Sequence, residues 1–93
     1  MGNEAQDQGI AAVIIERMQE QRLPRALDLK AKVDEGGLLD DLDIDFLEKV
    51  FADSNELKPF LTRNPEYQEL AGRMMALYHA ITSKALENEQ KQA

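Results

Sequence analysis

Six consecutive positions, Asp40-Asp41-Leu42-Asp43-Ile44-Asp45, hold four carboxylates and form the densest set of potential ligands in the chain. Carboxylates at alternate positions suit a hard cation, and Asp41, Asp43 and Asp45 coincide with the first three ligand positions of a calcium-binding EF-hand loop. The coincidence stops there. Phe46 stands where that loop turns on a glycine, and Ala52 where it closes with a bidentate glutamate. The apolar residues that follow continue at helical spacing. These acids therefore read as the capped, solvated start of a helix, with Asp40 at the N-cap. No metal is expected.

The other chemistry-bearing residues are sparse. His79 is the single histidine, so it can build neither a catalytic dyad nor a two-histidine metal site. A di-iron Glu-x-x-His pattern would need an acid at position 76, which is Ala76. Ser54, Thr62, Thr82 and Ser83 stand in no recognisable nucleophile motif. Gly36-Gly37 is a helix stop, not a phosphate-cradling loop. The chain has no cysteine, which rules out disulfides, thiolate catalysis and cysteine metal sites. Neither catalysis nor a cofactor is expected.

Charge narrows the partners. The 93 residues carry a net charge of −7, which opposes nucleic-acid binding because phosphate contacts need clustered Lys and Arg. A recognition helix drawn from the segment after Asp40 would be repelled by phosphate. Between Asp34 and Glu56 lie nine of the 18 acids and only one base, Lys49, whereas five basic residues fall between Arg17 and Lys32. Asp40, Asp41, Asp43, Asp45 and Glu48 make up an acidic patch suited to a basic protein. The apolar run Ile10 to Ile15 is far shorter than the roughly 20 residues that cross a bilayer. The start carries acid where a secretory leader carries base, and Gln6 replaces the Ser or Thr of a myristoylation signal. A cytoplasmic protein that does not engage membrane is expected.

The elements that position these residues follow from apolar spacing. Positions 1–8 are polar and expected to be a disordered tail, 9–89 a single bundle domain, and 90–93 a second tail. A first helix is predicted from Gly9 to Gln21, closed by Leu23-Pro24 because proline disfavours helix at the residue before it. A second runs from Pro24 to about Glu35 and ends at Gly36-Gly37. A third starts after Asp40, bends beyond Asp53 and resumes near Glu56 to Thr62, with one kinked helix as the alternative. The last and longest runs from an Asn64 cap and Pro65 to about Glu89, its inner stripe Tyr67, Leu70, Met74, Leu77 and Ile81. Strand alternation is absent. The fold class is all-α: a small bundle of four main helices, mostly antiparallel, with one long C-terminal helix.

One surface invites a partner. Opposite the inner stripe of the last helix lie Gly72, Ala76, Ala80 and Ser83, all small. Glycine costs about 1 kcal/mol inside a helix relative to alanine, and small residues at this spacing let a second helix approach closely. Val13 and Ile15 add an apolar excess to the first helix. The expected function is that of a soluble helical interaction module, an adaptor or regulator that binds a protein partner or its own copy as a homodimer. The alternative is an acidic inhibitor, antitoxin-like, that imitates nucleic acid toward a basic protein.

Overall fold

The computed structural model describes residues 4–92, with side chains for residues 9–92. Among them every regular element is helical: α1 (Glu4–Arg17), a π turn (Met18–Arg22), α2 (Leu23–Asp34), α3 (Asp41–Leu61), a 3-10 turn (Pro65–Tyr67) and α4 (Gln68–Gln92). The four expected helices are three rods. Backbone angles remain right-handed helical at Arg17, Arg22 and Leu23, so α1, the π turn and α2 run on without a break. Pro24 does not end the helix, contrary to expectation, and the π turn explains why. In an α-helix its ring would press on the carbonyl four residues back, and its missing N–H would leave that carbonyl unpaired. The π turn widens the ladder just before it: the Leu23 N–H donates to the Met18 carbonyl, five residues back.

The remaining boundaries are made by identifiable groups. Gly36 takes φ +94°, the left-handed conformation that stops α2. A Cβ on Gly37 would stand 2.8 Å from the Lys32 carbonyl oxygen, so glycine is required there too. Asp40 caps α3 through a reciprocal capping box: the Asp43 N–H donates to Asp40 Oδ1 at 2.9 Å, and the Asp40 N–H to Asp43 Oδ2 at 3.1 Å. The expected interruption after Asp53 does not form, and α3 runs as one helix from Asp41 to Leu61, as the single-helix alternative has it. Pro59 sits so near the end of α3 that the carbonyl it leaves without a donor is that of exposed Asn55, within reach of water. Asn64 does not cap the last helix. Its Nδ2 turns back to donate to the Phe60 carbonyl at 2.9 Å, closing the end of α3. Pro65 opens the 3-10 turn and α4 proper begins at Gln68. The tails expected at 1–8 and 90–93 are helical from Glu4 and up to Gln92; positions 1–3 and 93 lie outside the described residues.

The rods lie alongside one another: Arg17 at the end of α1 meets Asp53 of α3, Lys32 near the end of α2 meets Asp43, and α4 packs on α2 and α3. A helix over residues 4–34 is about 45 Å long at 1.5 Å per residue, which accounts for most of the 55 Å long axis. Met18, Val33, Val50, Leu57, Met74 and Ile81 are fully enclosed. Leu70 and Leu77, expected to be buried with Met74 and Ile81, are only half-buried. The buried line of α4 instead runs Ala71, Met74, Ile81, Ala85 and Asn88. Its small alanines let α4 settle close to its neighbours, and the two leucines flank the contact. No helix among the described residues is long and apolar enough to cross a membrane.

Candidate interaction face on α3 and α4

The carboxylates singled out in the sequence divide into two groups. Asp41, Asp45 and Glu48 are exposed. Asp43 is not part of an open patch: it is buried, with Lys32 Nζ 2.6 Å from its Oδ2 and Arg25 Nη2 3.8 Å from its Oδ1. Burial pushes the Asp43 carboxyl up. The hydrogen bond from Lys32, the Asp40 N–H and the charges of Lys32 and Arg25 together outweigh it and hold the group below its usual range. The same hydrogen bond holds Lys32 above its usual range against some desolvation, with the Asp43 and Asp40 charges adding to it. Asp40 is taken up as a cap and lies 3.8 Å from Lys32. Two members of the acidic patch thus build the α2–α3 corner. Asn88 secures that corner from α4, donating to the Val33 carbonyl at 2.8 Å and the Gly37 carbonyl at 3.0 Å.

A second buried carboxylate went unnoticed in the sequence. Asp53 accepts from Arg17 Nη1 at 2.6 Å and from Arg22 Nε at 2.9 Å. The two arginines are five residues apart. On an α-helix of 3.6 residues per turn that spacing points them about 140° apart. The π turn between them, closed by an i→i+5 bond, brings them to the same side. One signal pointed to this carboxylate: Val50, Asp53 and Leu57 follow helical spacing, which puts an acid on an apolar stripe.

The small-residue ridge has the exposure its spacing predicts. Gly72, Ala76, Ala80 and Ser83 are exposed along one side of α4. A Cβ built on Gly72 meets no atom within 4 Å, so nothing inside the fold requires a glycine there. Beside it, between α3 and α4, runs a groove of about 470 Å³ whose lining includes Phe51, Leu61, Ala71, Gly72, Met75 and His79. Phe51 is 46% exposed and rests against Tyr78 with ring centroids 5.8 Å apart. His79 is exposed and meets Tyr78 edge-on. Ser54 also lines the groove, and its Oγ is buried with no hydrogen-bond partner among the described residues, a cost of about 1–3 kcal/mol.

The first helix does not join this face. Ile15 is buried in the core, so it is not available to a partner. Val13 is exposed, but it belongs to a separate hollow on the α1–α3 seam, with Ile10, Arg17 and Glu56. Leu86, not singled out from the sequence, is 56% exposed on the outer side of α4. Comparisons with protein-family models, with curated proteins and with solved structures find no match to the chain.

Proposed function

We propose that the chain is a cytoplasmic interaction module, an adaptor or regulator without catalysis of its own, which binds a protein through the outer face of α4 and the α3–α4 groove. The observation that carries this reading is Gly72. It weakens its own helix by about 1 kcal/mol, its Cβ position is open space, and it borders an apolar groove flanked by exposed Phe51. A glycine that the fold does not use leaves room for something from outside it. The orphaned Ser54 Oγ in the same groove gains a partner if the occupant brings a polar group.

The acidic-inhibitor reading has less support. Asp43 and Asp53 are consumed by internal ion pairs and Asp40 by a cap, which leaves Asp41, Asp45 and Glu48 on the outer side of α3.

A photo-crosslinking side chain at Met75, introduced in the cells that make the protein, tests the proposal. The expected result is a discrete adduct that disappears when Ala76 is changed to Glu while the helical circular dichroism is retained. Adducts that are diffuse, or unchanged by Ala76→Glu, would rule out this face. An adduct formed only at the acid patch with a basic protein would favour the inhibitor reading.

A further inference from the structure

We infer that the occupant of this face is a second copy of the chain, its α4 lying antiparallel to the first about a twofold axis at Ala80. The inference rests on the binding reading above and names the partner. An isologous contact sets one patch against itself, so the charges of a single helix must complement their own reversed order.

Those of α4 do so when the axis falls at Ala80. With the axis at Ala80, Arg73 stands opposite Glu87 of the second copy, and Glu69 opposite its Lys91. Arg73 is exposed and has no ion pair among the described residues, whereas Glu87 lies 3.2 Å from Lys91 and 3.5 Å from Lys84, which hold its carboxyl below the usual range. Sliding the copy by about one turn, so that the axis falls between Ala76 and Ala80, brings Glu69 against the second copy's Glu87. Like charges then meet, and that register is disfavoured.

Packing agrees with the charges. At the axis the two ridges present Ala76 and Ala80, so the backbones can approach as small residues allow. The exposed apolar side chain that comes nearest Gly72 is the second copy's Leu86, a projection facing the position where no Cβ fills space. Twofold symmetry makes this contact twice. A chain of net charge −7 repels its own copy at long range, so a contact face on which both signs alternate is what self-association needs.

Charge exchange tests the register. Arg73→Glu and Glu87→Arg each set like charges together at both ends of a homodimer. Each variant alone is expected to lose most of its dimer by light scattering at high micromolar concentration, with its helical circular dichroism intact. Mixing the two in equal amounts restores opposite charges at both ends, and the dimer is expected to return. Single variants that stay dimeric, or a mixture that stays monomeric, would overturn the inference. A monomeric wild type whose Met75 probe still captures a different protein would overturn the second-copy occupant alone. A monomer that captures nothing at Met75 would remove the binding reading with it.

Discussion

At the scale of single residues, the four buried polar residues among the described ones each serve a helix end or a turn. Asn64 closes α3, Asn88 holds the end of α2, Asp43 completes the α3 cap, and Asp53 bridges the two sides of the π turn. Removing Asp53 leaves two arginines facing a buried site. Breaking a buried pair costs about 3–5 kcal/mol, but Arg17 and Arg22 keep some contact with water, so Asp53→Ala is expected to cost about 2–3 kcal/mol. Chemical unfolding measures it, and a change under about 0.5 kcal/mol, ordinary for a surface site, would show that the clamp contributes nothing. The Lys32–Asp43 pair makes stability depend on pH in a definite direction. Asp43 titrates lower in the folded chain than unfolded, so its contribution is present above the usual value of 3.8 and is lost as pH falls through the folded value. Lys32 titrates higher when folded, so its contribution is complete below 10.5 and is lost as pH rises beyond that. Stability against urea should therefore be flat in this respect between those limits. Asp43→Asn should flatten the acid limb, and a variant with an unchanged acid limb would contradict the assignment.

At the scale of elements, spacing made the helices legible and chemistry off the apolar stripe decided where they stop. Gly36-Gly37 and Asp40 were readable because each acts through its own backbone or its nearest turn. Pro24 and Pro59 misled for one reason: proline signals a missing donor and a crowded carbonyl, and whether the helix ends there depends on relief from elsewhere. At Pro24 the relief is the π turn, and Asp53, about thirty residues later, holds its arginines in place. No local pattern reveals such a partner. The candidate face was half legible. Its small ridge follows from periodicity, but the groove beside it depends on how α3 lies against α4, which leaves Phe51 outside the core that Phe46, Leu47 and Val50 of the same helix enter. Gly72 allows a test at this scale. With open space at its Cβ, Gly72→Ala should strengthen α4 by about 1 kcal/mol, which raises the unfolding midpoint by roughly 4–8 °C in a domain of this size. A lower midpoint in dilute solution would mean that the fold itself needs the glycine.

At the scale of the molecule, the chain is a 55 × 20 × 17 Å rod with a small core and long exposed flanks. A domain of this size buries a smaller fraction of its surface than a larger one does, and several large apolar side chains stay outside, Leu42 at 70%, Val13, Phe51 and Leu86 among them. Single exposed apolar residues need no explanation. What sets the α4 side apart is that an unused glycine, a ridge of small residues and self-complementary charges lie on one helix. Together they suit a second helix at close range, the contact proposed above. The most direct measurement is the light-scattering mass of the wild type and of Ala76→Glu at matched, high micromolar concentration. A long charged side chain at the middle of the ridge blocks close approach and buries an unpaired charge at the contact, and it leaves the core untouched because Ala76 points outward. The wild type is expected near twice the 10.5 kDa of one chain, and the variant near 10.5 kDa with the same helical content. A wild type that remains at 10.5 kDa, or a dimer indifferent to Ala76→Glu, would contradict the proposed contact.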